Sequence, residues 1–180
     1  MKTLKLMFVA ALLMGLSHSA KAADKFLSNF KAGNWTGTVA DSVSADLKGK
    51  KITATTEATA DQVKIVTRVE GAKGQEREEW VLTPTKLVQT EFDAAGKAVG
   101  ASYTANAKSA QTDSARTFDI NCADRTAGKC DNGIDFHNNW SLVASGNTFK
   151  YIVTGLRDKT KPDSLGTRHV FEFNYAGAGK

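Results

Sequence analysis

The chain has 180 residues, of which 24 are Lys or Arg, 19 Asp or Glu and three His, for a formal net charge of +5. That length encloses one hydrophobic core. Two prolines, Pro84 and Pro162, and no low-complexity linker argue against a multidomain or disordered chain. The sequence pI of about 9.2 overstates the basicity. Lys2, Lys5 and Lys21 sit in a leader without acidic residues, so 21 basic face 19 acidic residues beyond it, a net of +2. Interleaved charges in that balance exclude a nucleic-acid-binding stripe or a surface for anionic membranes.

The leader is residues 1–22. Two lysines in 1–5 precede an apolar run over 6–16, and Ala20-Lys21-Ala22 supplies a small-x-small cleavage site. This reads as a signal peptide of bacterial style, shorter in its apolar part than the ~20 residues of a spanning helix. No second apolar stretch follows. The expectation is a single domain over 23–180, exported to the periplasm or the extracellular space and not membrane-spanning.

Residues 24–31 are the one segment that reads as helix, of one or two turns. Strand alternation then begins at Trp35, Gly37 and Val39. It continues through Ile52, Ala54, Thr56 and Ala58, then Val63, Ile65, Thr67 and Val69. After a glycine turn at 71–74 come Trp80 and Leu82, closed by Pro84. Segments 87–92 and 99–103 flank a turn at 94–97. Phe118, Ile120 and Cys122 form the next strand. Ile134, Phe136, Trp140 and Leu142 follow, then Phe149, Tyr151 and Val153, and finally His169, Phe171, Phe173 and Tyr175.

About ten short strands with hairpin-length links predict an all-β fold: an antiparallel up-and-down meander closing into an 8–10-stranded barrel, which removes exposed edges. The alternative is a two-sheet β-sandwich, for which links 42–51, 106–114 and 157–165 have the length to cross. An outer-membrane barrel is disfavoured. Lys64, Arg68, Glu70, Arg77, Glu79, Lys150, Arg168 and Glu172 fall on the outward phase, where Arg or Lys at a bilayer midplane costs about 2–4 kcal/mol.

Cys122 and Cys130 bracket a polar segment, 123–129. An even cysteine count in an exported chain favours a disulfide stapling this loop, worth about 2–3 kcal/mol in the chain-entropy model. A free thiol pair or a metal site is the minority reading.

The short N-terminal helix followed by Gly33-Asn34-Trp35 at the start of a meander resembles the Gly-x-Trp entry of lipocalins and the wider calycin group. The resemblance implies a ligand-binding barrel with Trp35 packed across its closed end and Gly33 turning the chain into the first strand. It also makes Gly155-Leu156-Arg157 a faint echo of the arginine that covers this tryptophan in lipocalins. A Thr-Asp-Tyr-like signature at a middle hairpin is missing, so the subfamily stays open.

Catalytic motifs are missing too: no G-x-S-x-G, H-E-x-x-H, phosphate loop or dinucleotide fingerprint occurs. His137 is out of phase and reads as solvent-facing. His169 is in phase with Phe171 and Phe173, either as a satisfied rim histidine or as a ligand to a bound molecule, haem included. Glu76 and Glu78 share phase with Trp80, and an inward carboxylate needs a partner. Small in-phase residues (Gly37, Ala54, Thr56, Ala58, Thr67) leave one sector unfilled and favour a cavity.

The leading expectation is a non-catalytic barrel binding a small apolar or amphipathic ligand, with Trp80, Trp140, Tyr151, His169 and Phe171 as its walls and no metal or required cofactor. One alternative is a barrel enzyme of isomerase, cyclase or lyase type using Glu78 and His169 as acid and base. Another is a protein-interaction or inhibitor module acting through Asp124, Arg125 and Lys129 of the Cys122–Cys130 loop.

Overall fold

The computed structural model describes residues 24–71, 77–100, 102–109, 111–120, 137–158, 161 and 164–179, with the backbone alone described at 120, 137 and 138. Residues 1–23, which include the expected leader, Glu76, Ile134, Phe136, both cysteines and the loop between them lie outside the described residues, as does the side chain of His137.

Ten strands follow one another: β1 (Gly33–Ser42), β2 (Lys51–Ala58), β3 (Val63–Val69), β4 (Arg77–Leu82), β5 (Lys86–Phe92), β6 (Tyr103–Ala107), β7 (Ala115–Ile120), β8 (His137–Ala144), β9 (Thr148–Leu156) and β10 (Leu165–Gly177). Each pairs antiparallel with its sequence neighbours, and β10 returns to pair with β1, so the sheet closes on itself. The meander barrel is thus the fold, and the sandwich is excluded: no strand leaves its neighbours to start a second sheet. Closure satisfies backbone groups that an open ten-stranded sheet would leave along two edges.

The two ends differ. At one, which we call the floor, the links are 59–62, 83–85, 108–114 and 145–147; at the other, the rim, they are 43–50, 70–76, 93–102, 121–136 and 157–164. The segment preceding β1 covers the floor. It is shorter than a helix of one or two turns, a single 3-10 turn over Leu27–Asn29. Phe26, Leu27 and Phe30 are all buried beneath the strands, a spacing one turn satisfies before the chain must bend into β1. Asp24 starts the turn, accepting from the Leu27 N–H at 3.1 Å.

Trp35 lies on this floor, 1% exposed. Its indole N–H donates to Thr56 Oγ1 at 2.9 Å, and its ring meets the edges of Phe149 and Tyr175 at 4.9 and 5.1 Å. Opposite it in register is Ala54. The small residues of β2 therefore make room for Trp35 and supply its acceptor. Arg157, the echo of a covering arginine, follows β9 at the rim, the opposite end from Trp35.

Two glycines are dictated by close approach. A Cβ on Gly33, at φ +136°, would lie 2.4 Å from the Gly177 carbonyl oxygen; one on Gly37 would lie 1.8 Å from that of Glu172. β1 thus packs on β10 at a distance only glycine permits.

Two expectations shift. The sixth strand is Tyr103–Ala107 and not 99–103. Gly96 and Gly100 both take φ +77° ahead of it, and Val99 is 40% exposed. Arg168 does not project from mid-strand into solvent. It sits at a β10 bulge between Thr167 and His169, 7% exposed, and donates to the Leu156 carbonyl. The other outward charges behave as read, with Lys64–Glu79 at 3.0 Å and Lys150–Glu172 at 2.6 Å across neighbouring strands. Among the described residues no helix is long and apolar enough to cross a membrane.

Candidate functional site

Alternation sends Glu78, Trp80 and Leu82 of β4 into the lumen, and Phe149, Tyr151 and Val153 of β9 toward them from the far wall. β4 and β9 stand five places apart around the ten-strand ring, diametrically opposed. Their side chains nevertheless meet. The Trp80 and Tyr151 rings are 4.2 Å apart, and Trp80 also meets the Phe173 ring edge-on at 6.4 Å. Below this bridge Phe173 stacks on Phe149 at 4.2 Å, and Phe149 reaches Trp35 and Phe30. The lower lumen is an aromatic core; Trp80 and Tyr151 are the floor of whatever lies above.

One inward step toward the rim brings polar groups. Glu78 faces Glu91 of β5 in direct register, and Thr67 of β3 flanks Glu78 on its other side. Gln89 pairs with Trp80 on one side and with Tyr103 of β6 on the other. On the opposite wall Trp140 of β8 and His169 of β10 both pair with Val153, and Ser42 of β1 pairs with His169.

Hydrogen bonds tie part of this layer to its floor. Trp80 Nε1 donates to Glu78 Oε2 at 3.0 Å, and the Tyr151 hydroxyl donates to Gln89 Oε1 at 3.3 Å. Burial pushes the Glu78 carboxyl up to about 7; the neighbouring Glu91 adds to the rise and the Trp80 N–H partly offsets it. Burial, then Glu78 and Glu91, hold the Tyr151 phenol well above its ordinary value. Tyr103 is raised by burial and by Glu91. His169 moves the other way: burial first, then Arg168, lower it to about 4 against a smaller opposing effect of Asp41. Its Nδ1 lies 2.9 Å from Ser42 Oγ. Near neutrality the imidazole is uncharged, while the Glu78 carboxyl divides between its acid and its anion.

Trp140 completes the layer. It is 0% exposed, and its indole N–H has no hydrogen-bond partner. A buried donor left unmade costs about 1–3 kcal/mol. Trp35 and Trp80, the other two tryptophans of the chain, each have an acceptor.

All five wall residues expected from alternation face the lumen. His169, Phe171, Tyr151 and Trp80 form one continuous run of rings, with centroid spacings of 6.0, 5.7 and 4.2 Å; Trp140 pairs in register with Val153 and Phe118. Glu78 and His169 share the lumen but sit on strands four places apart, with Phe171, Tyr151 and Trp80 on the path between them. Sequence reading put Tyr103 on the inward aromatic phase but missed Glu91 and Gln89. Their signal was the alternation Leu87, Gln89, Glu91 in β5, an apolar residue at the floor giving way to polar ones toward the rim. Among the described residues no group of three or more His, Cys, Asp or Glu side chains could hold a metal ion. Comparison of the chain with protein-family models, curated proteins and solved structures gives no match.

Proposed function

We propose that this chain is an exported, calycin-like binding barrel that holds a small amphipathic molecule in the upper half of its lumen without transforming it. The observation that carries the reading is the Trp140 indole: a fully buried donor without an acceptor, on the inward face of β8, in a barrel whose middle is bridged by Trp80 and Tyr151. A bound molecule supplying an acceptor would remove the cost of that buried donor. The Gly33-Asn34-Trp35 entry, the floor position of Trp35 and the asymmetry between short floor links and long rim links support the same reading. So do the leader at 1–22, for export, and the ion-paired outer face, for a barrel surrounded by water.

Native mass spectrometry of the protein purified from its own host, without organic solvent, tests this. A reproducible added mass that is lost on denaturation, and that Trp140→Phe diminishes, is the expected result. A bare mass in every preparation, together with no ligand-induced change in indole fluorescence across an apolar compound panel, would overturn it.

A second reading has one observation in its favour. A carboxyl titrating near 7 in the barrel's interior, with a neutral histidine on another wall, suits general acid–base chemistry. Under that reading Glu78→Gln abolishes turnover of the bound compound and leaves the fold intact. Under binding alone the bound compound is recovered unchanged from both proteins.

A further inference from the structure

On the outer face, opposite charges on neighbouring chain segments close onto each other: Lys64–Glu79 at 3.0 Å, Lys108–Asp119 at 3.1 Å and Lys150–Glu172 at 2.6 Å. The rim ends of β2 and β3 depart from this habit. Thr53 of β2 pairs in register with Arg68 of β3. One outward step nearer the rim, the Glu70 N–H donates to the Lys51 carbonyl at 2.9 Å, which sets Lys51 opposite Glu70. All four residues are exposed, and with Val69 they line an open groove of about 240 Å³. Side chains directly opposite have Cβ atoms about 4.5–5.5 Å apart, within reach of an ion pair. Yet among the described residues none of Lys51, Arg68 and Glu70 is engaged in one. Two cations, a carboxylate and a hydroxyl therefore stand apart around open space. The Lys50 ammonium adds a third positive charge at the same end, 3.3 Å from where a Cβ on Gly71 would lie.

We propose that this groove is a binding site for hydrogen phosphate, on the outside of the barrel and independent of the lumen. The Arg68 guanidinium presents paired N–H donors that match two oxygens of a tetrahedral oxyanion. Lys51 contributes a point charge with rotatable donors, and the Thr53 hydroxyl a further donor. Glu70 decides which oxyanion is held. A carboxylate repels a fully deprotonated anion, but it accepts a hydrogen bond from one that brings its own proton. Inorganic phosphate keeps an O–H throughout the neutral range. Sulfate has none, and a phosphate monoester, whose second pKa is about 6, has lost its own by pH 8. The phosphodiester of a lipid headgroup has no such proton either. The groove thus combines donors that any oxyanion would satisfy with one acceptor that only a protonated one can use.

Isothermal titration at pH 8, in a phosphate-free buffer of low ionic strength, tests the inference with inorganic phosphate, sulfate and methyl phosphate. Phosphate should bind at least tenfold tighter than either of the others. Added sodium chloride should weaken it, as screening of an exposed site requires. Arg68→Gln should weaken phosphate at least tenfold. Glu70→Gln replaces the carboxylate with an amide that can donate, so sulfate should tighten until the two anions lie within about threefold. Cosedimentation with phosphatidylglycerol vesicles separates a free anion from a headgroup, and the protein should stay in the supernatant. Sulfate binding as tightly as phosphate to the unmodified protein would overturn the role given to Glu70 and with it the phosphate assignment. Absence of phosphate binding, or binding to vesicles without binding to phosphate, would overturn the site altogether. The comparison of anions within the unmodified protein does not depend on any variant folding, and none of these results bears on a ligand in the lumen.

Discussion

Trp80 and Tyr151, from strands on opposite sides of the barrel, touch at 4.2 Å between ring centroids and divide the lumen into an aromatic lower half and a polar upper half. This contact explains how one small barrel has both a filled core and a candidate site. Below it, burial of Trp35, Phe149 and Phe173 supplies stability. Above it, Glu78, Glu91, His169 and Trp140 are held in place by strands whose lower ends are fixed.

Trp80→Ala removes a fully buried ring from the middle of the core, and the expected loss is about 3–5 kcal/mol. Trp80→Phe keeps most of the apolar area, so its cost should be smaller. It also deletes the N–H that donates to Glu78, the one contribution lowering that carboxyl, so the Glu78 titration should move further up. Urea denaturation gives the stabilities, and carboxyl-selective NMR titration of the Phe variant gives the shift. A downward shift would contradict the assigned hydrogen bond.

Glu78 and His169 should pull the pH–stability profile in opposite directions. Glu78 is raised from 4.5 to about 7, so the folded state favours its acid form. Its contribution is full below 4.5 and is lost as pH rises to about 7. His169 is lowered from 6.5 to about 4, so the folded state favours the neutral ring. Its contribution is full above 6.5 and is lost as pH falls toward 4. Each shift corresponds to on the order of 3 kcal/mol across its window, and the two nearly cancel between pH 4.5 and 6.5. Glu78→Gln should therefore uncover a stability that rises with pH through this interval, and His169→Asn one that falls. Denaturant midpoints from pH 4 to 8 for the three proteins would check both slopes; parallel profiles would contradict both assignments.

The period-two pattern carried most of this architecture, because a strand with one face in a barrel lumen must alternate. Trp80, Trp140, Tyr151, His169 and Phe171 were all legible as inward for that reason. The pattern failed where hydrophobicity and strand parted company. Segment 99–103 has Val99, Ala101 and Tyr103 on one phase, yet Gly96 and Gly100 take left-handed backbone and β6 begins at Tyr103. It failed again at the β10 bulge, where one extra residue buries Arg168. Which inward residues meet across the lumen depends on ring closure and strand stagger, and neither can be read from one strand at a time. The opposition of Trp80 to Tyr151 is therefore information of the fold.

Gly37→Ala should be among the most damaging single-methyl additions in the chain. The new Cβ would sit 1.8 Å from the Glu172 oxygen and 2.8 Å from its carbonyl carbon, both backbone atoms of the paired strand. Neither can move without disturbing the β1–β10 ladder that closes the barrel. The expected cost is about 2–3 kcal/mol, the range for overpacking a rigid site. Gly146→Ala, where open space surrounds the added methyl but φ is +74°, isolates the backbone effect alone and should cost about 1 kcal/mol. Thermal melts of the two variants should rank them in that order, and equal costs would show that the β1–β10 approach is not the constraint.

Asp24 and Arg116 latch the floor segment to the wall of the barrel. Their side chains meet at 3.1 Å and are 19% and 8% exposed. Arg116 also lies over the Phe26 ring at 4.7 Å and donates to the Pro84 carbonyl at 3.2 Å. Asp24 in turn accepts from the Leu27 N–H at the start of the turn. Asp24→Asn keeps an oxygen for the Leu27 N–H but leaves the guanidinium poorly compensated in a shielded position, at an expected cost of about 1–3 kcal/mol. Arg116→Met replaces the charge with an apolar chain that can still cover Phe26, and in the Arg116→Met background Asp24→Asn should cost much less. The difference between the two Asp24→Asn effects is the coupling energy of the pair, and urea titrations of the four proteins measure it. A coupling near zero would mean that Phe26, Leu27 and Phe30 hold the floor segment by burial alone. A coupling above about 1 kcal/mol would establish the ion pair as a second fastening, one that a close reading of either segment alone does not reveal because the two residues lie 92 positions apart.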